Sequence, residues 1–322
     1  MSDYPSYSVA IRTLGTAGEK YRQLILSLKS QTLPAEGIYV YIAQEYPLPA
    51  AVADERYIPC PKGMVAQRAL PYHEIQSQYI LFCDDDVFFP PDAVRVLFDA
   101  LKAGKGDGIS PNVFPNHTMP FPEKLKAAVF SGTLPALSKR FAFRVRMNAC
   151  YSYCAKPSDV MPTQSFAGPC SLISREAFLS IHLEDEIWMD RSRYPLGEDQ
   201  VLSYKLYVSG YRLLVHFNSG IVHCDARTGR VSNRAERYYA AAYLHYLIWY
   251  RTIFQPRAGR WSRIWASCSY SFYFSAQMLL ALLAYLSGRS KYKPGTLIKA
   301  VKDAKSYAVS EEFLRIPLWP RN

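Results

Sequence analysis

Apolar and polar positions in the first 110 residues alternate between short uncharged runs and stretches with helical spacing. Ser8–Arg12 and Ile38–Ile42 are short and rich in β-formers, which predicts strands, and Arg56–Pro59 predicts a third. Between the first two, Tyr21, Leu24, Ile25 and Leu28 recur at three- and four-residue intervals, so Gly18–Ser30 reads as an amphipathic helix. Val65–Gln78 reads as helical too, with a break or kink at Pro71. Tyr79–Cys83 is uncharged throughout, the pattern of a strand buried on both faces, and it runs straight into Asp84-Asp85-Asp86. A helix then opens at Pro91, where proline suits the first turn, and Gly108–Val113 predicts another strand. This alternation predicts an α/β fold: a mostly parallel sheet flanked by helices.

Further on the pattern loosens. Residues 114–161 hold several prolines and the basic cluster Lys139, Arg140, Arg144 and Arg146, and read as an excursion over the active face. Ser165–Ser174 predicts a strand or bend around a Gly-Pro turn, and Arg175–Ile181 a short helix. Leu196–Ser209 predicts a helix stopped by Gly210, and Tyr211–His216 and Gly220–Cys224 two last strands. From Arg227 onward the spacing is helical. Ala235–Thr252 is aromatic-rich, with Tyr239, Tyr243, Tyr246 and Tyr250. Ile264–Gly288 carries no formal charge over 25 residues, between Arg257, Arg260 and Arg263 on one side and Arg289, Lys291 and Lys293 on the other. That length suffices to span a bilayer. Yet serines, tyrosines and Gln277 dilute its first half, so a helix lying in the interface or packed on the core fits the pattern as well.

Charge sharpens this division. Residues 1–226 hold 22 Lys+Arg against 23 Asp+Glu, and residues 227–322 hold 16 against 4, so the formal +11 belongs to the C-terminal part. Such asymmetry points to a polyanionic surface, either nucleic acid or an anionic membrane leaflet. With 49% hydrophobic and 20% charged residues the composition is globular rather than disordered. Seven scattered cysteines without a C-x-x-C pair read as reduced thiols, which points to a cytosolic compartment. Residues 1–7 lack a basic patch followed by an apolar core, so no cleaved signal peptide is expected there.

Two acidic clusters carry the candidate chemistry. Three acids at the end of a buried strand repel one another unless something positive joins them. In open α/β sheets the carboxyl ends of the strands face the ligand crevice, so a divalent cation on Asp84 and Asp86, with a phosphorylated ligand beyond it, is one reading. A solvated turn is the other. Glu198-Asp199-Gln200 stands at the start of a predicted helix, where carboxylates serve either as caps or as chemistry.

Together, the strand Ser8–Thr13, Lys62-Gly63 with Gln67-Arg68, Asp84-Asp85-Asp86, Phe166-Ala167-Gly168-Pro169, Glu198-Asp199-Gln200 and His223 resemble the inverting family 2 glycosyltransferases of the GT-A fold. The resemblance covers residues 7–226 and, more narrowly, looks like bacterial enzymes that build surface polysaccharide. It implies a catalytic domain over 1–226, followed by a basic, aromatic, membrane-associating helical region over 227–322. It further implies transfer of one sugar from a nucleotide-sugar donor, expected to be UDP-linked, to a saccharide hydroxyl, expected to be lipid-linked, at the cytoplasmic face of the membrane. No nucleic-acid partner is expected.

By that resemblance Asp199 would be the general base. Thr13, Glu45, Lys62, Arg68, Asp84 and Asp85 would surround the donor. Asp84, Asp86 and His223 would hold Mg2+ or Mn2+, and Glu198, Gly168 and Trp188 would meet the acceptor. The sequence departs from the family where Arg12-Thr13-Leu14-Gly15 and Ala43-Gln44-Glu45 replace the usual nucleotide-facing motifs. Gln255 and Arg260-Trp261 also miss the spacing of processive members. The competing readings are a sugar nucleotidyltransferase, which would want a basic Gly-rich loop after the first strand, and a non-catalytic membrane- or nucleic-acid-binding module, which has no need of clustered acids.

Overall fold

Alternation along β1 (Tyr7–Thr13) sends Tyr7, Val9 and Ile11 into one apolar cluster and Ala10 into another, so the strand is covered on both faces. The computed structural model describes residues 4–113, 120–136, 138–192, 194, 196–224, 234–288 and 293–320. α1 (Glu19–Lys29) lays Tyr21, Leu24, Ile25 and Leu28 against the first cluster. β2 (Ile38–Ala43) and β3 (Arg56–Cys60) add parallel neighbours on one side of β1, and β4 (Tyr79–Asp84) pairs parallel on the other. β5 (Val87–Phe88), α2 (Ala93–Gly104) and β6 (Gly108–Pro111) follow.

After α3 (Phe121–Ser131), a small three-stranded sheet forms from β7 (Leu134–Ala136), β8 (Phe143–Val145) and β9 (Tyr151–Cys154). The chain then returns to the main sheet through β10 (Val160–Thr163) and β11 (Cys170–Ser174). β12 (Leu213–His216) completes an eight-stranded sheet ordered β10-β12-β6-β11-β4-β1-β2-β3, in which four neighbouring pairs are parallel and three antiparallel. The expected α/β architecture is thus present.

One predicted element is absent. Residues 65–78 form successive turns rather than a helix. Pro71 cannot donate to a helical ladder, and Tyr72 takes a left-handed φ of 46°. The helical spacing of apolar residues there instead drops Val65, Tyr72 and Ile75 into the core of one sheet face.

That face is finished by α4 (Arg175–Ser180), α5 (Glu198–Val208) and, from the C-terminal part, α6 (Arg234–Ile248), α8 (Gly295–Ala308) and α9 (Glu311–Leu314). The expected domain boundary at 226/227 lies outside the described residues, as do Arg289 and Lys291. Two bulky residues from a π-helical turn at Trp249–Phe254, which continues α6, enter the same core as Phe82 and Tyr41 of the sheet.

At the centre of this junction sits Glu186, fully buried on a 3-10 segment spanning Leu183–Arg191. Its carboxylate accepts from Arg251 Nη2 at 3.1 Å, Lys205 Nζ at 3.0 Å, Trp188 Nε1 at 2.7 Å and Trp319 Nε1 at 2.8 Å. Burial pushes its pKa up, but Arg251 and Lys205 outweigh it and hold the carboxyl below its ordinary value. α7 (Arg260–Leu286) is different. Over 27 residues it buries only Ala266 and Tyr270, and it is the one helix among the described residues long and apolar enough to cross a membrane by length and composition.

A buried carboxylate stripped of its partner is costly, so Arg251→Ala should destabilise the protein by about 3–5 kcal/mol. Urea unfolding checks this, and a loss below about 1 kcal/mol would mean that the pair is not the hub described. Because Glu186 is held below its unfolded pKa, its stabilisation is present above that value and is lost as pH falls through the folded one. The same variant should therefore show a flatter acid limb of stability than the parent.

Candidate active site

The parallel register of β1 and β4 sets Arg12 directly beside Asp84. Arg12 Nη2 bonds to Asp84 Oδ1, and although burial opposes the charge, Asp84 and Glu198 hold the guanidinium more firmly protonated than usual. One residue on, Thr13 Oγ1 donates to Asp85 Oδ2 at 2.5 Å and accepts from the Gly15 amide at 2.7 Å. Burial first, then Asp86 and Asp84, push the Asp85 carboxyl up to about 6 against the Thr13 hydrogen bond. The ribbon of β5 with β13 (Val222–His223) brings His223 Nε2 to 3.2 Å from Asp86 Oδ1, and Cys224 N donates to the Asp86 carbonyl at 2.8 Å. Each of the three acids therefore has its own partner.

Residues 62–68 form the next wall. Asp190 accepts from the amides of Val65 at 3.1 Å and Ala66 at 2.8 Å, which turns the chain back over the end of β1. Gly63 is needed there because a Cβ would stand 2.4 Å from Asp190 Oδ2. The turn aims Gln67 Nε2 at the Thr13 carbonyl at 3.4 Å and buries Arg68. Lys62 and Glu45 pair at 3.2 Å on the exposed rim.

Arg68 links the two acidic clusters. Its guanidinium donates to Glu198 Oε1 at 3.4 Å and to the Gly168 carbonyl at 3.1 Å. Gly197, at a left-handed φ of 87°, turns the chain into α5, so Glu198 and Asp199 occupy its first turn. Asp199 Oδ1 accepts from the Gln200 amide at 2.8 Å. Burial, and then the neighbouring Glu198, raise Asp199 to about 6 against the pull of Arg68. A small cleft lined by Arg12, Arg68, Gly168 and Asp199 joins the acid–base end to the end of β4. A carboxylate with these surroundings can take a proton near neutral pH, and two fixed guanidiniums beside it can hold an anion.

Residues 79–293 match the family model described as glycosyl transferase family group 2. The chain belongs to that family. With its mostly parallel sheet flanked by helices, and C-terminal helices added, it has the GT-A type of architecture expected for the family. It is similar to a crystal structure of GalNAc-T7 with UDP, GalNAc and Mn2+, at a TM-score of 0.47 and 11% identity, over 77% of this chain and 51% of that one. It thus spans about half the length of GalNAc-T7. No protein of curated function matches the sequence.

In the glycosyltransferase, Thr13, Arg68, Asp84, Asp85, Gly168, Glu198 and Asp199 do come together, with Asp86 and His223 paired beside them. Trp188 does not. Its ring is buried against Phe313 and its nitrogen donates to Glu186, so its place is the core and not an acceptor surface. Arg12, Gln67 and Asp190 are site-building residues without a role in the sequence analysis: Gln67 stands there only as part of the Lys62–Arg68 motif and Arg12 only as a departure from the family pattern. Asp190 carries no local signal, being one of four acids on the 3-10 segment Leu183–Arg191.

Among the described residues no three metal-ligating side chains converge. Asp84 faces Arg12, whereas Asp86 faces His223. A carboxylate–imidazole pair suits a divalent cation that completes its shell with water and ligand phosphate.

Gly63→Ala should be disruptive beyond its size. The added methyl meets both Asp190 Oδ2 and Ala66 Cβ, at 2.4 and 2.9 Å, so the turn must shift and carry Arg68 with it. The expected loss is about 1–3 kcal/mol in chemical unfolding. Wild-type stability in this variant would show that the turn tolerates displacement.

Proposed function

We propose that this glycosyltransferase moves a single sugar, with inversion, from a UDP-linked donor to a hydroxyl of a lipid-linked saccharide at the cytoplasmic face of a membrane, as in surface-polysaccharide assembly. The observation that carries the reading is Asp199. It is the one carboxylate raised toward neutrality at the start of α5, beside Arg68 and the Gly168 backbone.

A sugar hydroxyl is too weakly acidic to attack unaided, so a base must lie within hydrogen-bond reach. Asp199 takes that proton. Glu198, held by Arg68, raises the basicity of Asp199 by repulsion and stands ready to orient the acceptor. One base and attack opposite the leaving group suffice for inversion. At the other end, Thr13 and Asp85 support the nucleoside, and Lys62 with Glu45 reach it from the rim. Arg12 and Arg68 face the diphosphate as charge accumulates on it. When bound at Asp86 and His223, Mg2+ or Mn2+ supplies further positive charge to the same leaving group.

α7 supports the membrane part of the reading. Trp261, Trp265 and Phe272 are 81%, 65% and 79% exposed, with Leu279, Leu283 and Leu286 continuing the same apolar side. An apolar stripe of that length, beside a basic C-terminal region, suits docking in the plane of an anionic leaflet.

Asp199→Asn should keep nucleotide affinity and lower turnover by roughly 10²–10⁴-fold. In the parent, activity should fall as pH drops below about 6, where Asp199 becomes protonated. Glu198→Gln removes the repulsion that raises Asp199, so its acid limb should move to lower pH. A limb that stays in place would assign the base elsewhere.

Calorimetry with UDP and Mn2+ tests the cation assignment. Asp86→Ala and His223→Ala should each weaken metal-dependent UDP affinity by about 10–100-fold, on the scale seen for lost metal-supporting groups. UDP affinity that stays equal with and without metal in the parent would sink the assignment.

A further inference from the structure

A second cavity, of about 760 Å³, lies between the three-stranded sheet, the second half of α5, the π-helical turn and the first half of α7. Four arginines line it: Arg140, Arg144, Arg146 and Arg257. Arg144 and Arg146 flank the buried Val145 at a two-residue interval, so both face away from the core. No carboxylate is among the described residues that line the cavity. Arg257 donates to the Ile253 carbonyl, and its other terminal nitrogen lies 3.0 Å from Met147 Sδ. Burial lowers its pKa, and Tyr204 alone works against that.

Arg146 donates to the Gly132 carbonyl at 3.0 Å and Arg140 lies over the Phe141 ring, so four positive side chains line one cavity with no carboxylate among its described lining, an arrangement that costs repulsion and hydration. An anion with several oxygens relieves both costs, and the planar fork of arginine matches phosphate, as it does carboxylate, with paired donors. The cavity opens beside Trp265, where the exposed apolar stripe of α7 begins. A free anion would use the arginines alone, whereas an amphiphile would use the arginines and the stripe together. Tryptophan at such a border is suited to the headgroup level of a bilayer.

We propose that this cavity binds the phosphate or diphosphate head of a membrane amphiphile whose hydrocarbon lies along the exposed side of α7. The inference rests on the membrane-docking reading of α7 and adds to it a specific headgroup site. It also supplies a link to the chemistry. Tyr204 lines the cavity from α5, the helix whose first turn carries Asp199. At ~1.5 Å per residue the two positions are separated by about 7 Å along the helix axis. The two positions lie on different sides of α5, so the link between headgroup site and base runs through the helix itself.

The test uses the full chain and sedimentation with phosphatidylcholine vesicles, with and without phosphatidic acid, whose head is a phosphate monoester. Arg144→Gln/Arg257→Gln is compared with Lys299→Gln/Lys302→Gln, an equal charge change at exposed positions of α8. The parent should prefer the phosphatidic acid vesicles, and the cavity variant should lose about tenfold more affinity than the control. Inorganic diphosphate should release the parent more effectively than sodium chloride of equal ionic strength, a readout that needs no variant. Equal losses in the two variants, or equal release by the two salts, would overturn the headgroup site and leave membrane docking standing. Failure of the parent to bind either vesicle would overturn docking and the lipid source together. Calorimetry with inorganic diphosphate would then show whether the arginines take a soluble anion instead.

Discussion

The site exists because two arginines are fixed between two groups of acids. Asp84, Asp85 and Asp86 end β4, and Glu198 and Asp199 begin α5, so five carboxylates crowd the carboxyl edge of the sheet. Left alone they would repel one another and bind protons. Arg12 and Arg68 decide which of them do. Arg12 takes Asp84 through the strand register, and Arg68 takes Glu198 through a turn that only Gly63 and Asp190 can make. Burial, and then Glu198, leave Asp199 with a raised pKa that Arg68 only partly offsets. The base that we propose is thus, like Asp85 at the other end of the site, a buried carboxylate that its neighbours do not fully compensate.

The same logic operates deeper in the protein with the opposite result. Glu186 is buried more completely than Asp199, yet two cations and two indoles satisfy it and keep it ionised. Lys205 belongs to α5 and Arg251 to the C-terminal helices, so one carboxylate clamps the helix that carries Asp199 to the region added after the sheet. Buried ion pairs contribute little net stability compared with an apolar substitute. What they fix is position. Here the orientation of α5, and with it Asp199, is tied to residues more than 40 positions away in sequence. The C-terminal region, expected from its pattern, charge and family resemblance to be a separate membrane-associating unit, shares the hydrophobic core of the sheet.

Much of this was legible in the chain. Strand-length apolar runs marked the sheet, and both acidic clusters stood where a crevice at the strand ends requires them. The segment 65–78 was misread because apolar spacing records which residues go inside, not how the backbone gets there. Tyr72 enters the core from a left-handed turn as well as it would from a helix. Arg12 and Asp190 were invisible for another reason. Their roles depend on register and on a contact across some 125 positions, neither of which a local pattern contains. Trp188 shows the converse error, since a tryptophan near an acidic motif is as readily a core ring with a hydrogen-bonded nitrogen as a sugar platform.

The apolar run that begins α7 posed a choice between spanning a bilayer, lying in its surface and packing on the core. The helix answers with different sides. Ala266 and Tyr270 are buried, Tyr270 stacks on Trp249 at 4.5 Å, and Gln277 donates to the Val129 carbonyl at 2.8 Å. A helix so committed along one side cannot be surrounded by lipid without drawing α3 and the π-helical turn into the hydrocarbon with it. That turn contains Arg251, and Arg257 follows it closely, charges that a bilayer core disfavours strongly. The opposite side, from Trp261 to Leu286, exposes Trp261, Trp265, Phe272, Leu279, Leu283 and Leu286, with Ser275 among them. In the membrane docking that we propose, a surface helix with one side fastened to protein and the other apolar would lie in the plane of the membrane, with the arginine-lined cavity at headgroup depth and the sheet in water.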